Sequence, residues 1–325
     1  MQDKIIVLGA GRMGEGIALS FILAGKEVML IDFKSRSSEE RQRYYEQARS
    51  RLLTELNYLL EKRLIQERQV TPMVELLDIV DHQQVQTLAG RTLVFEALPE
   101  VKEIKKEGLS WASRHLDEDT VIASTTSTFL VTELSCMVSH PARFMNAHWL
   151  NPAHLMPLVE VSRAKETEQR FIDELFAVLK GIGKVPVLCE AVPGYIVPRL
   201  QVLLMNEAAR MVEEGVASAE DIDVAVRVGL GLRYSVLGVL EFIDWGGGDT
   251  LFYASNYLCD KLDNRFQAPA VISRNMQEQR RGFQDGVGFF DYTGVDLTNY
   301  RRQRSDDFLK RLELLELMPV VSDSR

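Results

Sequence analysis

Apolar residues fall along this chain in two rhythms. Short apolar runs, Ile5-Ile6-Val7-Leu8, Val28-Met29-Leu30-Ile31, Thr92-Leu93-Val94-Phe95-Glu96 and Thr120-Val121-Ile122-Ala123, have the length and character of strands buried on both faces. Asp78-Ile79-Val80 reads as one more. Between them the period lengthens to that of a helix, from Ile17 to Ala24 and from Val101 to His115. Further on, Phe144 to Leu150 and Leu158 to Val161 read as strands joined by the turn Asn151-Pro152-Ala153-His154. A helix from Glu166 to Lys180 then leads into a last strand, Lys184 to Leu188. This alternation predicts an α/β fold whose parallel, doubly wound sheet is covered on both faces.

Two stretches break the alternation. From Ser38 to Gln69 charged residues alternate with Leu52, Leu53, Leu56, Leu59, Leu60 and Leu64 at helical spacing. That pattern predicts a long amphipathic helix or helical hairpin, started by Ser37 or Ser38 ahead of Glu39 and Glu40 and ended before Pro72. It reads as an excursion from the sheet with a solvated charged face, while Arg41, Arg43, Arg49 and Arg51 leave an anion site open. After Pro193-Gly194 only helices and loops follow: Leu200 to Glu214, Ala219 to Val228, a turn at Gly246-Gly247-Gly248, and Ser305 to Leu317. The chain is therefore expected to divide into residues 1–190, an α/β domain, and residues 191–325, an all-helical one, with a hinge near 190–194.

Composition narrows the classes. The 325 residues are 46% hydrophobic and 26% charged, and no apolar run is long enough to cross a membrane. A net charge of −9 with dispersed arginines argues against a nucleic-acid surface. Cys136, Cys189 and Cys259 are widely spaced and give neither a zinc pattern nor a disulfide frame, so no metal site is expected. Asp3 and Lys4 lead directly into the first strand, and the expected compartment is the reducing cytoplasm.

The first strand-to-helix turn carries a recognisable chemistry. In Gly9-Ala10-Gly11-Arg12-Met13-Gly14, Gly9 permits the tight turn, Gly11 lets a pyrophosphate reach the backbone, and Gly14 lets helix and strand pack closely. The helix start holds the anion through its exposed N–H groups and dipole. The second strand ends at Asp32, where an acid accepts ribose hydroxyls and repels a 2′-phosphate. These features together read as a Rossmann-type site for NAD. In such sheets ligands bind beyond the carboxyl ends of strands, which here carry Glu96, Glu100 and the hydroxyls Ser124 to Thr128. A hydroxyl cluster in that place serves either as a ligand contact or as a helix-capping loop.

The turn at Asn151–His154 can bring His148 and Glu160 together. A carboxylate bonded to one imidazole nitrogen fixes the tautomer, raises basicity, and leaves the other nitrogen to exchange a proton with substrate. Oxidation of an alcohol needs such a base, because the hydroxyl oxygen loses a proton as the carbon that bears it loses a hydride. His82, His115, His140 and His154 are read as structural.

With these residues in place, the chain resembles the 3-hydroxyacyl-CoA dehydrogenase family along nearly its whole length. The resemblance rests on GAGRMG, Asp32, VFEALPEVKEIKKEG, ASTTSTFL, NAHWLNPAHLMPLVEV, PGYIVPRL, EGVASAEDIDVAVRVGLG and GVGFFDY. It implies NAD-dependent oxidation of an L-3-hydroxyacyl-CoA, with His148 as general base and Glu160 orienting it. It also implies cofactor positions at Glu100, Lys105, Ser127 and Asn151, with Ser127 near the substrate oxygen, and a homodimer formed through the helical domain. Two positions depart from the family pattern: Pro198 replaces an Asn that helps hold the reacting oxygen, and Thr125 replaces the Asn of a Ser-Asn-Thr-Ser loop.

The stretch Gly229-Leu230-Gly231-Leu232-Arg233-Tyr234 is similar instead to the branch of L-gulonate dehydrogenase, lens lambda-crystallin and carnitine dehydrogenase. In that light Arg233 is either a structural cation near a helix end or the partner of a substrate carboxylate. The substrates to weigh are an acyl-CoA and a free 3-hydroxy acid. A non-catalytic, crystallin-like NAD-binding protein is a third reading, opposed by intact His148, Glu160 and Ser127.

Overall fold

The computed structural model describes residues 5–85, 88, 90 and 93–320; Asp3, Lys4 and Thr92 lie outside the described residues. The chain divides into two compact units, Met1–Leu204 and Met205–Arg325.

The first unit is an eight-stranded sheet with helices on its faces. In chain order it comprises β1 (Ile5–Leu8), α1 (Arg12–Leu23), β2 (Val28–Asp32), α2 (Ser38–Glu61), α3 (Glu67–Glu75), β3 (Leu77–Asp81), β4 (Leu93–Glu96), α4 (Lys102–His115), β5 (Val121–Ser124), α5 (Val131–Leu134), β6 (Phe144–Trp149), β7 (Leu158–Arg163), α6 (Gln169–Gly181) and β8 (Val185–Glu190). The strand order is β3-β2-β1-β4-β5-β6-β7-β8, and every neighbouring pair is parallel except β6 with β7.

Strand geometry sends alternate side chains to opposite faces, and both faces are apolar. Ile5, Val7, Leu93, Phe95, Val121 and Ala123 pack into one core, with α1, α2 and α6. Ile6, Leu8, Val94, Ile122 and Phe144 pack into the other, with Leu109, Trp111 and Ala112 of α4. On β6 the same alternation puts Met145, Ala147 and Trp149 in the first core and leaves Asn146 and His148 together on the opposite face.

The charged excursion resolves into two helices. Ser37 caps α2 with a reciprocal pair to Glu40, each satisfying the other's backbone N–H. Pro72 does not lie beyond the helical stretch: it sits inside α3. Packing overrides the break, since Met73 is buried and Val70, Val74 and Leu76 rest against the first core.

The boundary between the units falls within α7 (Val197–Glu213). The second unit continues with α8 (Ala219–Ala225), a π-helical turn at Val226–Gly231, α9 (Leu232–Tyr234), α10 (Val239–Gly246), α11 (Gly248–Lys261), α12 (Ala270–Gln277) and α13 (Leu297–Leu314). Isolated bridges Gly282–Val287 and Val287–Asp291 interrupt its loops. Buried Asp244 organises this turn by accepting hydrogen bonds from the backbone of Phe289 and Phe290 and from the Tyr292 hydroxyl.

Candidate functional site

The glycine turn is built as its spacing predicts. Gly9 has φ 106°, and a Cβ there would lie 2.6 Å from the Ala97 carbonyl oxygen; one on Gly14 would collide with the Gly9 carbonyl. At Gly11 a Cβ would meet nothing within 4 Å, so the space in front of the α1 N-terminus is open. The first-turn N–H groups of a helix have no intrahelical acceptor, and here they face that space beside exposed Arg12 and half-buried Met13. Asp32 ends β2, buried; one carboxylate oxygen accepts from Arg36 Nε at 2.8 Å and the other from the Lys34 N–H at 3.1 Å.

The charged face of α2 is more than solvated surface. The Tyr44 hydroxyl donates to the Ala10 carbonyl of the glycine turn, and the Arg36 guanidinium lies 3.8 Å over the Tyr44 ring. Arg51 grips Glu15, in the first turn of α1, with two hydrogen bonds, and Arg41 pairs with Asp81. A cavity of about 710 Å³ opens between α1, α2 and the 151–154 loop, lined among others by Gly11, Glu15, Tyr44, Arg51, Asn151 and Pro152.

Beyond β4 and β5 an acid–base cluster braces the hydroxyl loop. Buried Lys105 holds Glu96 at 3.0 and 3.1 Å and Glu100 at 3.2 Å, and also donates to the Leu98 carbonyl. Glu100 in turn accepts from the hydroxyls of Thr126 and Thr128 and from the N–H groups of Ser127 and Thr128. Burial would raise the Glu100 pKa, but these donors and Lys105 outweigh it and hold the carboxyl at about 2. Glu96, fully enclosed, is pushed up by burial against the pull of Lys105. Ser127 stands exposed at the tip of this loop, and Thr125 is half-buried.

The hairpin of β6 and β7 sets His148 directly opposite Glu160. His148 Nδ1 lies 2.9 Å from Glu160 Oε2, and both side chains are buried. The other oxygen, Oε1, accepts from the N–H groups of Ile196 at 2.9 Å and Val197 at 2.8 Å, at the start of α7. Burial favours the neutral acid here too, yet the bonds from His148, Val197 and Ile196 prevail and keep the carboxyl below its usual range. An ionised carboxylate only accepts, so Nδ1 carries a proton, and in the neutral imidazole the lone pair lies on Nε2.

Pro198 lies in the first turn of α7, where a missing N–H costs no helical bond. Its side chain offers no donor, as the sequence indicates. Exposed Asn151 begins the loop to β7, and Lys184, at the mouth of β8, donates to the carbonyls of Ala153 at 2.6 Å and Met156 at 2.9 Å, pinning that loop from behind.

Sequence reasoning missed Tyr44, Asn146, Lys184 and Tyr195. Only Asn146 left a local signal, standing two residues before His148 and hence on the same strand face. Arg233 belongs to the second unit, where its guanidinium lies 4.6 Å over the Phe242 ring. The remaining histidines make structural contacts: His82 stacks on Phe33, His115 bonds to the Trp111 carbonyl, His140 pairs with Glu118, and His154 lies 3.8 Å from Glu55. Among the described residues no group of three or more His, Cys, Asp or Glu side chains could hold a metal ion, and no helix is long and apolar enough to cross a membrane.

Comparison with known proteins gives a consistent result. Residues 4–192 match the family model described as 3-hydroxyacyl-CoA dehydrogenase, NAD binding domain, and residues 194–292 match the 3-hydroxyacyl-CoA dehydrogenase C-terminal domain. Among similar curated proteins, 5-formyl-3-hydroxy-2-methylpyridine 4-carboxylate 5-dehydrogenase of Mesorhizobium japonicum is 28% identical, over 97% of this chain and 99% of its own. The 3-hydroxybutyryl-CoA dehydrogenase of Clostridioides difficile is 30% identical, over 89% of this chain and 99% of its own. Among solved structures, a 3-hydroxyacyl-CoA dehydrogenase from Archaeoglobus fulgidus superposes with a TM-score of 0.76 at 29% identity, covering 97% of this chain and 100% of that one.

Proposed function

The chain belongs to the 3-hydroxyacyl-CoA dehydrogenase family and is an NAD-dependent oxidoreductase, and from that premise we propose that it oxidises an L-3-hydroxyacyl-CoA to the 3-oxoacyl-CoA, or runs the reverse. The observation that carries this reading is the His148–Glu160 pair, buried at the strand ends of a sheet whose first turn is open for a dinucleotide. In the proposal, residues 1–190 form the NAD-binding domain, and residues 191–325 the helical dimerisation and substrate domain. Exposed Leu200, Leu203, Leu204 and Met205 on α7 support a partner copy there. The three free cysteines favour a cytoplasmic setting.

The residues present fit the cofactor. Gly9, Gly11, Arg12, Met13 and Gly14 would receive the pyrophosphate, Asp32 the adenosine ribose, and Glu100, Lys105, Ser127 and Asn151 would form the nicotinamide side, with Lys105 acting through Glu100. When bound, NAD supplies the hydride acceptor. His148 Nε2 takes the proton of the substrate hydroxyl. Glu160 steadies the resulting imidazolium with a charge-assisted bond, and Ser127 donates to the same substrate oxygen. In reduction His148 returns the proton.

A second reading has its own support. The Mesorhizobium relative is named for a free carboxylate and matches along 97% of this chain, and Arg233 could pair with such a group. In this reading a free 3-hydroxy acid replaces the CoA ester while His148 and Glu160 keep their roles. The deciding experiment measures NADH formation with 3-hydroxybutyryl-CoA beside free gulonate, carnitine and 3-hydroxybutyrate. Turnover of the ester alone supports the first reading. Turnover of free acids alone installs the second, and no turnover of any of them sinks both.

A further inference from the structure

Between the hydroxyl loop and the imidazole stands a side chain to which neither the family resemblance nor the reaction scheme assigns a role. Tyr195 is buried, with 6% exposure, and its ring stacks on that of His148 with centroids 4.9 Å apart and planes 14° from parallel. Its hydroxyl donates to the Thr126 carbonyl at 2.8 Å and accepts from Asn146 Nδ2 at 3.0 Å. Asn146 also donates to the Phe129 carbonyl. One rigid ring thus lies flat on the base while its tip is bonded to the loop that carries Ser127.

The backbone that delivers this ring is unusual. Gly194 has φ 83° and Tyr195 φ 44°, so two consecutive residues are left-handed, a conformation in which a bulky non-glycine residue is rare. This turn aims the Tyr195 ring at one face of the imidazole and the next two N–H groups, those of Ile196 and Val197, at the carboxylate that holds its edge. Edge and face are therefore fixed by one three-residue segment. Burial holds the phenol above its ordinary range, so the hydroxyl stays protonated and its hydrogen stays on Thr126.

We propose that Tyr195 is a positioning residue that sets the imidazole of His148 and the Ser127 loop at a fixed separation, so that base and hydroxyl donor meet the same substrate oxygen. The proposal rests on the dehydrogenase reading. Tyr195 transfers no proton itself, because both hydrogen-bonding directions of its hydroxyl are already used inside the protein. Its contribution is geometric and falls on the chemical step, while dinucleotide affinity rests mainly on the glycine turn and Asp32 and on the Glu100 contacts that hold the Ser127 loop independently of Tyr195.

The test compares Tyr195→Phe, which keeps the stack and cuts the tie, with Tyr195→Leu, which removes both. Readouts are kcat, the KM for substrate and NAD, NADH affinity by fluorescence, and the primary isotope effect with substrate deuterated at the carbinol carbon. Tyr195→Phe should lose about 10- to 100-fold in kcat, the scale of a misplaced reacting group, with NADH affinity unchanged and a larger isotope effect. Tyr195→Leu should lose more; if it does not fold, the Phe variant carries the test alone, since it removes a single oxygen. Wild-type kcat and isotope effect in Tyr195→Phe overturn the proposal, as does a parallel loss of NADH affinity, which marks general loosening. A wild type inert on esters and free acids alike overturns the dehydrogenase reading itself, and this proposal with it.

Discussion

Substituting Glu160 by glutamine isolates what the carboxylate does for the base. The carboxylate serves three donors: His148 Nδ1 on Oε2, and the N–H groups of Ile196 and Val197 on Oε1. Glutamine keeps the volume but has one accepting oxygen and one donating NH₂. If the oxygen serves α7, the NH₂ meets Nδ1 and forces the tautomer with the proton on Nε2, which can no longer take one from substrate. If the oxygen serves His148, two buried N–H groups lose their acceptor. Either way a charge-assisted contact to the imidazolium is gone, worth about 1.5–3 kcal/mol, which is roughly 10- to 150-fold in kcat at about 1.36 kcal/mol per decade. His148→Gln removes the base outright and should cost the fuller range of about 10²–10⁴-fold. Steady-state kcat for both variants, with NADH titrations as a control on cofactor binding, checks this. Near-normal kcat in Glu160→Gln would show that the pair is not the acid–base device; near-normal kcat in His148→Gln would make His148 structural.

Asp32 should confer preference for NAD, and Asp32→Ala should narrow it; turnover with NADP equal to or better than with NAD in the wild type would refute the assignment, with Arg36 the residue able to reverse it. Glu100 is held at about 2 in the folded chain against an ordinary 4.5, so its stabilisation is present above pH 4.5 and is lost as pH falls toward 2. The stability difference between wild type and Glu100→Gln, from denaturant unfolding, should therefore shrink across that window, and a difference flat with pH would contradict the hydrogen-bond account. Arg233→Lys and Arg233→Met should lose roughly 10- to 100-fold in kcat/KM on a free 3-hydroxy acid and little on a CoA ester; equal rates with variant and wild type on both would leave Arg233 a structural cation.

What is legible in this sequence is what local spacing encodes. The glycine turn needs three positions within six residues, and its chemistry belongs to the backbone, so Gly9, Gly11 and Gly14 announce it. His148 and Glu160 are legible because a short turn makes them cross-strand partners. Tyr195 is different: it meets Asn146 across 49 residues and Thr126 across 69, and no periodicity reports such contacts. Lys184 reaches the 153–156 carbonyls across about thirty residues, so it reads only as the first residue of a strand. Arg41 and Arg51 of α2 read as part of a solvated face because their partners, Asp81 and Glu15, come from other elements. Pro72 fails in the opposite sense, since a strong local rule yields to the burial of Met73.

The departure at Pro198 gains meaning from the same geometry. A side-chain donor lost beside Glu160 would loosen the base if that donor served the carboxylate. Glu160 Oε1, however, takes its hydrogen bonds from the backbone of Ile196 and Val197, and a proline one residue later in the first turn of α7 disturbs neither. The orientation of His148 is therefore insulated from the substitution. In the proposed scheme the consequence falls on the substrate oxygen, which would lose a helper and depend more heavily on Ser127 and on the tie that Tyr195 makes to its loop. In the proposal the base stays intact while its surroundings differ, so any change falls on substrate choice rather than on the chemistry, which is why the ester and the free acids must be assayed side by side.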